Sequence, residues 1–123
     1  MASKSVLMNA FYDQVTSFIG ELNQMYPDDS DFSLYLTSVK MLKMTNPSMT
    51  IKAVYENTKP FDEAIMNKDE KFFLERSYSD YSDVVDTVLF GKLKTYVVNM
   101  DTRTKDIVWK YIHNIIKLAK ACQ

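Results

Sequence analysis

Apolar side chains recur at steps of three and four along most of the chain. Leu7, Phe11, Val15, Phe18, Ile19, Leu22, Met25 and Tyr26 form the first such series, the signature of an amphipathic helix of about six turns at 3.6 residues per turn. Ser3 or Ser5 can cap its start by accepting from backbone N–H groups that lack a helical partner. Pro27 ends it, and Pro27-Asp28-Asp29-Ser30-Asp31 reads as a turn that also offers caps for the next helix. That second helix is predicted from about Phe32 to Thr45, burying Phe32, Tyr35, Leu36, Val39 and Leu42.

Asn46-Pro47 marks the next boundary. Asparagine suits an N-cap, and proline suits the first helical position, where its missing N–H costs nothing. A third helix follows with Ile51, Val54 and Tyr55 on one face. Lys59-Pro60 kinks or restarts it, and Phe61, Ala64 and Ile65 continue the apolar stripe. Short loops between these segments favour antiparallel neighbours.

Residues 67–82 are the least regular. Asp69 can cap one turn carrying Phe72, Phe73 and Leu74, and residues 77–82 read as loop. A penultimate helix carries Val84, Val85, Val88, Leu89, Leu93, Tyr96 and Val97, although its β-branched residues and Gly91 lower helix propensity, the glycine by about 1 kcal/mol. Asp101 or Thr102 caps the last helix, which is expected to bury Val108, Tyr111, Ile112, Ile115 and Ala119. Ile107, Trp109, Ile116 and Leu118 widen its apolar surface. The chain therefore reads as one all-α domain over residues 1–123, a bundle of five to seven helices with short loops.

Composition supports that reading. Two glycines and three prolines in 123 residues are too few for a multi-stranded β-domain, whose turns need residues tolerant of positive φ. A chain this long can bury a core without staples. The single cysteine, Cys122, has no intrachain disulfide partner, which suits a reducing compartment. No apolar run reaches the roughly 18 residues of a membrane span, and Ala2 does not suit N-myristoylation. A soluble intracellular protein, or one packaged in a particle assembled inside a cell, is the expectation.

Charge changes the picture only at the C-terminus. The net charge is −1, but residues 101–123 carry five Lys and Arg against two Asp, giving +3. Arg103, Lys110 and Lys117 are seven apart, and His113 and Lys120 flank that line. Such a stripe can follow a phosphate backbone or an acidic protein. It equally describes the solvated face of any bundle helix, whose cations near the C-terminus complement the helix dipole, and a pI near 5.8 lacks the nucleic-acid signature.

No catalytic constellation is visible. His113 is the sole histidine and has no spaced cysteines beside it, so no zinc set forms. His113 and Cys122 are nine residues apart, which on a helix places them about 180° apart. Gly20 and Gly91 are isolated in helical patterns, so no glycine-rich loop approaches a phosphate. A non-enzyme without cofactor or metal is expected. Eight Tyr, seven Phe, one Trp and eight Met are the kind of side chain enriched at protein interfaces. Phe72, Phe73, Trp109 and Tyr111 are the expected contact or packing anchors, for a protein partner or for self-association. Nucleic-acid binding through Arg103, Lys110, Lys117 and Lys120 is the alternative.

Four blocks carry a resemblance: Tyr26-Pro27-Asp28 after the first helix, Leu42-Lys43-Met44-Thr45-Asn46-Pro47, Asp69-Glu70-Lys71-Phe72-Phe73, and Ile107-Val108-Trp109-Lys110-Tyr111. In their order and spacing the chain resembles short uncharacterised proteins encoded by large DNA viruses that infect algae and other protists. The resemblance spans nearly the whole chain. It implies a viral, intracellular origin, with a virion component or host-factor binder favoured over a metabolic enzyme, and it assigns no residue a role.

Overall fold

The computed structural model describes residues 3–67 and 95–123, and within them every regular element is helical. The expectations for Asp69, Phe72, Phe73, residues 77–82 and most of the 84–97 helix lie outside the described residues. Helix α1 spans Lys4–Met25, α2 Asp31–Thr45 and α3 Pro47–Thr58. A single 3-10 turn, Lys59–Phe61, leads into the short α4, Asp62–Met66. Residues 95–97 are helical, and α5, Thr102–Ala121, closes the chain.

Most of these boundaries follow from local chemistry. The Ser3 side chain accepts from the Val6 N–H at 3.2 Å, as an N-cap serine should. The Tyr26 N–H still bonds the Leu22 carbonyl, and Pro27, which has no N–H to donate, ends α1 there. Pro60 produces the 3-10 turn between α3 and α4. Within the turn that offered caps for α2, Asp29 accepts from the Asp31 N–H at 3.0 Å, while Ser30 sits in αR backbone without a side-chain cap bond. One cap differs from expectation: Asn46 makes no side-chain cap bond to α3. Its own N–H closes α2 on the Leu42 carbonyl, and serving both helices leaves it at φ −154°, ψ 74°.

Asp101 caps α5, accepting from the Thr104 N–H at 2.7 Å. Hydrogen bonds from Thr104 hold its carboxyl below the usual carboxylate range, with a smaller contribution from the Arg103 charge. A lowered folded pKa means the stabilisation is complete above the unfolded value and is lost as pH falls through the lower folded value. Asp101→Asn keeps a capping oxygen but cannot titrate. Thermal melts on acidification should therefore show a shallower decline for Asp101→Asn than for the parent; equal declines would remove Asp101 as a source of acid sensitivity.

Helix α1 is the hub, packing against α2, α3 and α5, while α3 also packs against α2 and α5. Phe11, Tyr12, Phe18, Ile19 and Leu22 are the buried side chains of α1. They meet Phe32, Tyr35 and Val39 of α2, Ile51 of α3, and Val108, Trp109, Ile115 and Ala119 of α5 in one hydrophobic cluster. Leu36 and Leu42, expected inside, are only half-buried. On α5 the buried arc is displaced from the expected one: Trp109 and Ile116 are buried, whereas Tyr111 and Ile112 are half-buried. A helix packed on both α1 and α3 buries a wider arc than one seam requires.

Polar ties between distant segments set how these helices sit. The Tyr12 hydroxyl donates to the Pro47 carbonyl at 2.6 Å, joining the middle of α1 to the first turn of α3. Burial pushes this phenol above its ordinary value, partly offset by the Thr50 hydroxyl. Tyr12→Phe keeps the ring but strands that carbonyl, at a cost of about 1–3 kcal/mol. Denaturant unfolding at neutral pH checks it, and a change well under 0.5 kcal/mol would mean that water replaces the hydroxyl.

Candidate functional site: the outer face of α2

The turn between α1 and α2 gathers aromatic and acidic groups. Tyr26 and Tyr96 stack at 3.9 Å between ring centroids, and Phe32 lies against both. The Tyr96 hydroxyl donates to Asp29 at 2.6 Å. A depression lined by Tyr26, Pro27, Asp28, Asp29, Asp31 and Tyr96 opens there. Asp29 is committed to the turn and to Tyr96, so this corner is bracing more than a reaction centre. Burial pushes the Tyr26 phenol up.

Among the described residues, the other titratable groups are dispersed. The Nε2 of His113 lies 2.8 Å from the Ile65 carbonyl. A carbonyl only accepts, so Nε2 carries the proton and His113 ties α5 to α4. It faces inward and does not extend the cationic line. Cys122 is buried, and burial pushes its thiol up against the opposing pull of Lys4, which disfavours the reactive thiolate. Among the described residues, no three His, Cys, Asp or Glu converge as metal ligands, and no helix is long and apolar enough to cross a membrane.

The expected anchors separate. Phe72 and Phe73 lie outside the described residues. Trp109 is only 6% exposed and belongs to the core cluster. Tyr111 is half-buried and stacks on Phe18 with centroids 5.3 Å apart. Both therefore pack the core instead of presenting a free surface. Arg103, Lys110, Lys117 and Lys120 are all exposed. Asp106, one turn from both Arg103 and Lys110, interrupts their positive row.

Among the described residues, large apolar side chains are also left in solvent on α2 and the start of α3, besides Val6, Val98 and Ile107 elsewhere. Leu34 is 63% exposed, Met41 61%, Met44 85% and Met49 45%. At 100° per residue Leu34, Thr37, Ser38, Met41, Met44 and Thr45 cover an arc of about 120°, opposite Phe32, Tyr35 and Val39. No charged residue falls within that arc. Its hydroxyls bond back to their own helix. Thr37 donates to the Ser33 carbonyl at 3.1 Å, Ser38 to Leu34 at 3.0 Å and Thr45 to Met41 at 2.9 Å. Each polar residue of the face thus satisfies itself on its own helix. The strip is apolar in effect along the whole of α2.

The sequence carried a signal for this strip. Leu34 and Met41 are seven residues apart and off the Phe32–Tyr35–Val39 stripe, so they could not be buried by the same seam. Methionine is an adaptable filler of cores and of binding surfaces alike, so the count of eight could not say which ones face outward. No protein-family model matches the chain, and no curated protein or solved structure is significantly similar to it.

Proposed function

We infer that this chain is a non-catalytic protein-interaction or structural protein that makes its contact through the outer face of α2. The observation that carries this is the uncharged strip of Leu34, Met41 and Met44, exposed at 61–85% with its hydroxyls bonded back to the helix. Burying such a strip leaves none of these hydroxyl donors stranded, and methionine adapts to the opposing surface. The viral resemblance extends the proposal to a virion component or a host-factor binder. Leu34→Glu/Met41→Glu changes only exposed positions and should leave the fold intact. Cross-linking in cells that express the chain, compared with this variant, is the test. The expected result is an adduct made by the parent and not by the variant; identical adducts would move the contact off α2.

A second reading, nucleic-acid binding, has one observation in its favour: Arg103, Lys110 and Lys117 are exposed on one line of α5. Three phosphate contacts would give a slope of roughly −2.7 in log affinity against log salt. Titration of a mixed-sequence duplex at two salt concentrations measures it, and salt-independent or undetectable binding retires the reading.

A further inference from the structure

We propose that one end of the bundle, formed by Lys4, Lys117 and Lys120, is the surface that takes a nucleic-acid phosphate backbone; this rests on the nucleic-acid reading and deepens it, because Lys4 takes the place of Arg103. The two helices concerned, α1 and α5, run antiparallel. Phe18 stacks on Tyr111, and the Asn114 amide donates to Gln14 at 3.4 Å. Each step back along α1 is therefore matched by a step forward along α5, and Lys4 comes level with the last residues of α5. The Cys122 thiol accordingly feels the Lys4 charge.

At this end the field has one sign. Lys4, Lys117 and Lys120 are all exposed, and residues 3–12 and 107–123 contain no Asp or Glu. The opposite end is the reverse. The Tyr96 ring stacks on Tyr26 and its hydroxyl bonds Asp29, which brings the start of α5 to the α1–α2 corner. Arg103 and Lys105 are outnumbered at that end by Asp28, Asp29, Asp31, Asp101 and Asp106. Arg103 and Lys117 are fourteen residues apart, about 21 Å along a helix and more than two screening lengths at physiological salt. The two ends act as separate fields, so a net charge of −1 is compatible with a strongly basic one.

A phosphate backbone suits this end better than a protein or a bilayer. Its three cations are lysines, a residue depleted at protein interfaces but common on phosphates. A bilayer surface requires apolar side chains to enter it. On the first turns of α1 and the last three turns of α5, Val6 is the one large apolar residue left exposed.

Titration of the whole protein with a mixed-sequence duplex over a salt series tests this. Three contacts give a slope of roughly −2.7 whichever cations make them, so the variants decide. Lys4→Gln/Lys117→Gln should flatten the slope to about −0.9 and weaken binding roughly fiftyfold at about 0.1 M salt. Arg103→Gln should leave affinity within about twofold and the slope unchanged. All these positions are exposed, and unchanged helical circular dichroism verifies that each variant folds. If Arg103→Gln is as damaging as Lys4→Gln/Lys117→Gln, the basic end is overturned while the nucleic-acid reading stands. A parent that leaves the duplex unbound overturns both. Phosphatidylserine vesicles and polyglutamate are titrated alongside; either one bound in preference to the duplex gives this end to a bilayer or an acidic protein and overturns the phosphate backbone as its partner.

Discussion

Phe11→Ala is expected to destabilise the protein by about 3–5 kcal/mol, the range for removing a fully buried aromatic ring. Phe11 has no exposed surface and sits on α1, which touches α2, α3 and α5. Helices held from three sides cannot all move in to fill the space left by the ring, so the cavity term adds to the lost transfer energy. Equilibrium unfolding in denaturant measures the effect as a lower midpoint with an unchanged slope. A loss below about 1 kcal/mol would mean that α1 is not the hub around which the others pack.

Trp109→Ala should cost a similar 3–5 kcal/mol, and it separates packing from contact. Trp109 is 6% exposed, and the ring of His113, which ties α5 to α4, lies 6.0 Å away. Truncation therefore opens the core and loosens that tie. As the chain's one tryptophan, it also reports on itself: native emission should be blue-shifted and should move to the red on unfolding. Met41→Ala, at a site 61% exposed, should change stability by less than about 0.5 kcal/mol. If Trp109→Ala left stability intact and removed a binding partner instead, Trp109 would be a contact residue.

Much of the fold is readable along the chain because the signals are local. Ser3, Pro27, Pro47, Pro60 and Asp101 each act on backbone groups within four residues, and each stands at the helix boundary its chemistry implies. Local signals fall short where a residue or face serves two elements. Asn46 makes no side-chain cap bond to α3, while its backbone N–H closes α2. On α5 the periodicity identified an apolar arc but not its centre, since α1 and α3 both cover it.

The candidate site was less legible still. Aromatic surplus pointed to Trp109 and Tyr111, yet these are consumed by the core and by the stack on Phe18. The exposed methionines were countable but not placeable, because apolar character alone does not say whether a neighbour arrives to cover it.

What the sequence by itself determined is helical class, most helix limits and the inward stripe of each helix; these depend on residue type and on a period of 3.6, both properties of a short stretch of chain. Which apolar residues stay in solvent was decided only by tertiary structure, as were the Tyr12–Pro47 and His113–Ile65 ties. The physical reason is that burial belongs to pairs of surfaces. Leu34 and Phe32 are two residues apart and both strongly apolar, but α1 reaches only one of them.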